Sequence, residues 1–195
     1  MHKGLALSAW APHAGKVPFI LQSMIARPDD SACEALATPE EAVRLGADAF
    51  AVAIFVRGKS EAVHLRLLSE MVRMAYPYEM PVICHVYPRN FDVAPRISFL
   101  PEDIAWGVRC AVEAGADIIK TPYCGEVAAF SQIVNECPVP LVAAGGPKTE
   151  TITSALAMIA EVMRAGARGA TIGRNVWGFG DIVGAVTAFK KVIHG

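Results

Sequence analysis

Short apolar runs alternate with helix-period segments along the whole chain, and that alternation restricts the fold more than any single motif does. Residues 17–25 read as a strand. Thr38-Pro39-Glu40-Glu41 then opens a helix, with an N-cap, a proline in first position and carboxylates at the positive end of the dipole. Residues 49–56 form a strand and 60–74 a helix; 81–87 are the next strand, 90–100 a loop rich in turn formers, and 101–114 a helix. A short buried strand starts at Ala116-Asp117-Ile118-Ile119 and continues to Thr121. It is followed by a helix over 126–134, a strand over 140–144, a helix over 150–165, a strand over 169–173 and a last helix over 181–193. Six strand–helix pairs in strict alternation imply parallel strands joined by helical crossovers, hence an α/β protein.

A weak internal repeat supports that architecture. Glu41-Ala42-Val43-Arg44-Leu45-Gly46-Ala47-Asp48, Cys110-Ala111-Val112-Glu113-Ala114-Gly115-Ala116-Asp117 and Val162-Met163-Arg164-Ala165-Gly166-Ala167-Arg168 each run helix, glycine C-cap, strand. Such units belong to a (β/α) barrel or to a doubly wound sheet. Two loops bear on that choice. Ala144-Gly145-Gly146-Pro147-Lys148 follows one late strand and Gly173-Arg174-Asn175 follows the last. In (β/α)8 barrels the loops after the seventh and eighth strands commonly hold a phosphate on converging backbone N–H groups. Glycines let the backbone approach the anion, and an arginine adds a charge-assisted fork. Taken singly, Gly145-Gly146 is also a plain tight turn and Arg174 a surface ion pair, so both readings stay open. A dinucleotide site is disfavoured: no G-x-G-x-x-G follows an early strand, and Gly178-Phe179-Gly180 comes after the final one.

Lys120 is the candidate reacting group, because it lies near the C-terminal end of a buried strand. Burying an ammonium disfavours its charged form, pulls its pKa down and turns the amine into a nucleophile for carbonyls. The alternative is a lysine that snorkels to the surface or answers a carboxylate. Schiff-base chemistry also needs an acid/base group nearby. Tyr87 ends the preceding strand, and period-two alternation sets it on one face with His85 and opposite Cys84 and Val86. Tyr87 is then either a proton shuttle beside Lys120 or a core tyrosine, and His85, one layer deeper, either a pocket residue or a hydrogen-bonded core residue. Tyr123, Glu126 and Lys148 are further pocket candidates. His2, His13, His64 and His194 fall near the termini or on expected surfaces, and no metal set is indicated.

With 18 basic against 19 acidic side chains among 195 residues, the chain has no bulk charge that would select nucleic acid or an anionic membrane. No apolar run reaches a membrane-spanning length, and the N-terminal segment is too short for a secretion signal, so a cytoplasmic protein is expected. Five scattered cysteines (Cys33, Cys84, Cys110, Cys124 and Cys137) indicate neither a disulfide framework nor a zinc site.

Together, Gly115-Ala116-Asp117-Ile118-Ile119-Lys120-Thr121-Pro122-Tyr123-Cys124-Gly125-Glu126, Tyr87-Pro88-Arg89, Ala144-Gly145-Gly146-Pro147-Lys148 and Gly173-Arg174-Asn175 resemble the archaeal-type class I fructose-bisphosphate aldolases. These DeoC/LacD-like aldolases form a wider group with amino-dideoxyheptulosonate synthases and autoinducer thiolases. The resemblance implies a metal-independent, cofactor-free (β/α)8 TIM barrel that is often a homo-oligomer and acts on a sugar phosphate. Lys120 would be the Schiff-base lysine, Tyr87 the proton donor or acceptor, and Gly145, Gly146, Gly173 and Arg174 the phosphate-binding residues. The matched pattern makes residues 17–25 the third strand and Met1-His2-Lys3-Gly4 the tail of the second. Residues 1–195 are thus expected to form a single partial barrel domain of about six β/α units, N-terminally truncated against the usual length of about 250 residues. The first-strand Asp-His-Gly segment of the family has no counterpart here. A misplaced start, a fragment or completion by another subunit would each account for that. The activities expected are cleavage or formation of a C–C bond in a phosphorylated ketose such as fructose 1,6-bisphosphate, a synthase or transaldolase-like reaction, or inactive phosphate binding.

Overall fold

The computed structural model of the chain describes residues 1–91 and 96–195. Part of the loop expected at 90–100 lies outside the described residues. In chain order the elements are β1 (Ile20–Gln22), β2 (Met24–Ala26), β3 (Cys33–Ala35), α1 (Pro39–Arg44), β4 (Ala49–Val56), α2 (Glu61–Ala75), β5 (Val82–Asn90) and β6 (Arg96–Ile97). There follow α3 (Pro101–Glu113), β7 (Ile118–Thr121), α4 (Val127–Glu136), β8 (Leu141–Ala144), α5 (Ile152–Arg164), β9 (Ala170–Thr171), α6 (Arg174–Trp177) and α7 (Ile182–His194). The order β1-β4-β5-β7-β8-β9 is parallel throughout and curls into a half-barrel, part of the TIM-barrel pattern. Among the described residues no helix is long and apolar enough to cross a membrane.

The three repeated helix ends explain how the strands stay in line. At each, glycine takes a positive φ (73° at Gly46, 95° at Gly115, 92° at Gly166), which L side chains rarely adopt. The following alanine bonds back to the carbonyl of Ala42, Ala111 or Val162, the longer bond of a Schellman cap. The next residue then donates its N–H to the start of the neighbouring strand: Asp48 to Phe19, Asp117 to Val82, Arg168 to Leu141. In the first two copies the aspartate side chain adds a second bond, accepting from Phe19 N at 2.6 Å and from Val82 N at 2.8 Å. One sequence repeat therefore ends a helix and sets the next strand's register.

Alternation divides the side chains. Phe50, Val52, Ile54, Val82, Cys84, Val86, Ile119, Leu141 and Ala143 face the helices and form the main core. The concave face carries a small apolar cluster of Ala49, Ala51, Ile83 and Ile118. His64, expected on a surface, is fully buried: it shares the inward face of α2 with Leu68, Met71 and Ala75, at helical spacing. Residues 17–25 are not one strand. β1 stops at Gln22, and Ser23 turns the chain into the β2–β3 hairpin, its N–H and Oγ both donating to Ala51 O at 3.0 and 2.7 Å. Of the expected strand tail at the N-terminus, Met1 alone pairs: its amine donates to Ile20 O and its carbonyl accepts from Gln22 N. Residues from Lys3 to His13 coil into short 3-10 and π turns.

Arg89 fastens the C-terminal ends of these strands. Its side chain is fully buried. Nε donates to Val56 O at 3.4 Å, Nη1 to Pro28 O at 3.2 Å and to Asp30, and Nη2 to Arg57 O at 2.5 Å and Ser60 Oγ at 3.2 Å. Replacing it leaves the partly exposed Asp30 carboxylate without its cation and several carbonyls without a donor. We expect Arg89→Met to lower the unfolding free energy by roughly 1.5–3 kcal/mol, the usual worth of hydrogen bonds made by a charged group. Urea titration reads this, and a loss under about 1 kcal/mol would show that the clamp is dispensable.

Candidate active site

Lys120 sits on β7 between His85 of β5 and Val142 of β8, its register partners. Laterally paired residues of a parallel sheet share a face, so Lys120 and His85 project together into the concave side, with Tyr87 one step further along β5 on that face. Lys120 and Tyr87 line one cleft of about 310 Å³. Gly145, Gly146 and Pro147 form one wall, Gly173, Arg174 and Trp177 another, and Ile97, Phe99, Pro122, Tyr123 and Met158 complete it. The β6 hairpin partner of β5 is what brings Ile97 and Phe99 over the cleft.

Electrostatics suit an amine that must lose its proton. No carboxylate pairs with Lys120 among the described residues, and burial alone pulls its pKa below the ordinary lysine value. His85 is held down at about 3, first by burial and then by the Lys120 charge and the N-terminal ammonium, so it is a neutral imidazole at physiological pH. Burial pushes the Tyr87 phenol up, and the nearby Arg174 charge pulls it partly back. Tyr87 stacks at a tilt on Phe55, its register partner, with centroids 5.9 Å apart.

The two glycine loops meet at the cleft. Gly145 passes so close to β9 that a Cβ would come within 2.9 Å of Ile172 Cα, and Gly146 has a φ of 69°. Arg174 Nη2 donates to Gly146 O at 3.0 Å, joining the loops. The other pocket candidates divide. Tyr123 lines the cleft with its ring, while its hydroxyl donates to Glu161 on α5 at 3.1 Å and its pKa is pushed up to about 12, first by burial and then by that bond. His85 lies below the cleft lining, Lys148 is exposed with its ammonium 5.1 Å from the Phe179 ring, and Glu126 is exposed at the N-cap of α4. Phe99 and Met158 line the site without any prior signal, because apolar residues in loops and helices carry no recognisable spacing.

Residues 1–178 match the profile of the DeoC/LacD family aldolases. The chain belongs to that family. A 2-amino-4,5-dihydroxy-6-oxo-7-(phosphonooxy)heptanoate synthase of Streptomyces griseus is 30% identical across all of this chain and 71% of its own length. A class 1 fructose-bisphosphate aldolase of Thermoproteus tenax is 35% identical over 80% of the chain, which spans 59% of that relative. Among solved structures, an archaeal fructose-1,6-bisphosphate aldolase with its catalytic lysine bound to the carbinolamine intermediate superposes with a TM-score of 0.90. It is 30% identical, with 100% of this chain and 77% of that one covered. These relatives place this DeoC/LacD aldolase among the Schiff-base-forming lyases.

The depressed Lys120 pKa makes a stability prediction. A lysine whose folded pKa lies below its unfolded one destabilises the native state at neutral pH, and that penalty fades as pH rises from the folded to the unfolded value. Lys120→Met should therefore raise the melting temperature at pH 7, and the gain should shrink toward pH 10–11, near the ordinary lysine pKa of about 10.4. Thermal unfolding across pH checks it; a Lys120→Met protein that melts lower at pH 7 contradicts the burial argument.

Proposed function

We propose that this chain is a Schiff-base aldolase acting on a phosphorylated ketose such as fructose 1,6-bisphosphate. The observation that carries the reading is the unpaired, desolvated Lys120 amine in the same cleft as Tyr87 and two glycine loops joined by Arg174. The neutral amine adds to the substrate carbonyl, the carbinolamine loses water, and the resulting iminium accepts the electron pair of the breaking C–C bond. Tyr87 first gives its proton to the carbinolamine oxygen as water leaves; the phenolate then takes the proton of the substrate hydroxyl that becomes the aldehyde, and the phenol so restored protonates the enamine carbon. Gly145, Gly146, Gly173 and Arg174 hold the phosphate, which fixes the carbonyl against Lys120. His85 supplies an uncharged floor that does not add a second cation beside the lysine. The chemistry requires no metal or cofactor. In this reading residues 1–195 act as one domain, and the protein works in the cytoplasm as a homo-oligomer, as its family resemblance implies. Sedimentation giving only monomer would remove the last element.

The 30% identity to the Streptomyces griseus synthase over the whole chain supports a second reading, condensation of a sugar phosphate with another carbonyl compound. Substrate screening separates the two, since only the aldolase releases triose phosphates. Borohydride added with fructose 1,6-bisphosphate should leave an adduct on Lys120, absent in Lys120→Met. Tyr87→Phe should still form it, though more slowly because the carbinolamine loses water without its acid, while turnover falls by roughly 10²–10⁴-fold, the usual weight of a general acid–base group. A folded wild-type protein that forms no adduct with either substrate class sinks the reading.

A further inference from the structure

Asn175 has no part in the chemistry above, yet its side chain ties the two glycine loops together. It is 1% exposed. Nδ2 donates to Gly145 O at 3.0 Å and to Pro147 O at 2.9 Å, while Oδ1 accepts from Thr149 N at 2.9 Å. Both amide protons and the oxygen are thus in use, and only one orientation satisfies them. A rotated amide would set its oxygen against two carbonyls and its N–H against another N–H.

The consequence for the loop is directional. Across a trans peptide the carbonyl and the following N–H point opposite ways. Drawing the Gly145 and Pro147 carbonyls onto a buried amide therefore turns the N–H groups of Gly146 and Lys148 to the other side of the loop. Between them the Gly146 carbonyl is occupied by Arg174, and Pro147 has no N–H. Among the described residues neither the Gly146 nor the Lys148 N–H meets an acceptor. Gly145, Gly146 and Pro147 form a wall of the cleft, so the side away from Asn175 is the side a ligand reaches.

We propose that Asn175 is the positioning residue of the anion site: it holds the 145–149 loop so that the Gly146 and Lys148 N–H groups converge with Arg174 on the phosphate of a phosphorylated carbonyl substrate. The proposal rests on the aldolase reading for its substrate and on the hydrogen bonds alone for its geometry. Asn175→Asp is the sharpest variant, because a carboxylate cannot donate to the two carbonyls. Asn175→Ala removes the tie without adding charge.

The test compares borohydride trapping on Lys120 by dihydroxyacetone phosphate and by dihydroxyacetone. Both variants should raise the half-saturating concentration of the phosphate ester about tenfold or more, while that of dihydroxyacetone moves less than twofold. Equal weakening for both ketones, or no weakening for either, overturns the proposal, because a merely structural asparagine would not distinguish them. A second measurement uses the wild-type protein and inorganic phosphate. The amide resonances of Gly146 and Lys148 should shift most on titration, and their failure to shift also overturns the proposal, whether or not the variants fold. Phosphate-dependent shifts without any Lys120 adduct would sink the aldolase reading and leave Asn175's role standing.

Discussion

Parallel pairing allows no freedom over which side chains meet: residues opposite one another in the ladder must share a face. Ala53, His85, Lys120 and Val142 form one such rung across four strands. Two of its members can carry charge, and the other two are a small and a branched apolar residue. Lys120 is therefore desolvated on both flanks, with no carboxylate within its rung to hold its proton. His85 could have made the rung doubly cationic. Burial and the lysine itself keep the imidazole neutral instead, so the proton economy of the site reduces to one amine and one phenol.

The same alternation separates stability from chemistry. The helix-facing side holds a continuous core from Ala6 to Ala167, whereas the concave cluster consists of four side chains, two of them alanines. The long strands β4 and β5, eight and nine residues, are central, and the strands flanking the glycine loops are four and two residues long. Rigidity at the glycine-loop wall cannot come from strand length. It comes from side chains that reach across the loops, Asn175 from beneath and Arg174 from the rim.

Much of this was legible in the sequence, for identifiable reasons. Strand 49–56 and the Thr38 N-cap follow from local pattern, and the glycine helix ends follow from a repeat whose geometry is local. Lys120, Tyr87 and the two glycine loops share a cleft as their order along an alternating β/α chain implies. What failed depended on distant contacts. Ser23 breaks an apolar run because its hydroxyl finds Ala51 O, a partner 28 residues away that no window on 17–25 contains. β5 runs three residues past Tyr87, through a proline, because β6 pairs back onto Arg89 and Asn90. His64 looked like a surface residue by its chemistry alone. Its spacing with Leu68 and Met71 put it on the buried stripe, where Cys33 Sγ lies 3.1 Å from Nδ1.

Arginine shows how far a motif can be trusted. Tyr87-Pro88-Arg89 and Gly173-Arg174-Asn175 each present a guanidinium near the C-terminal ends of the strands, where a phosphate is expected. A guanidinium has five N–H donors, and the five acceptors of Arg89 are two side chains and three carbonyls, all protein groups. Its side chain is also fully buried and lies against the Phe55 and Phe91 rings. An anion would have to displace Asp30 to reach it, exchanging one charge for another and breaking the clamp on two loops. Arg174 is exposed, lines the cleft and among the described residues makes one side-chain bond, to Gly146 O, which leaves its remaining donors unspent. Residue type and place in the chain are alike for the two; the count of unspent donors separates them, and it assigns Arg89 to the scaffold and leaves Arg174 with donors to spare at the cleft.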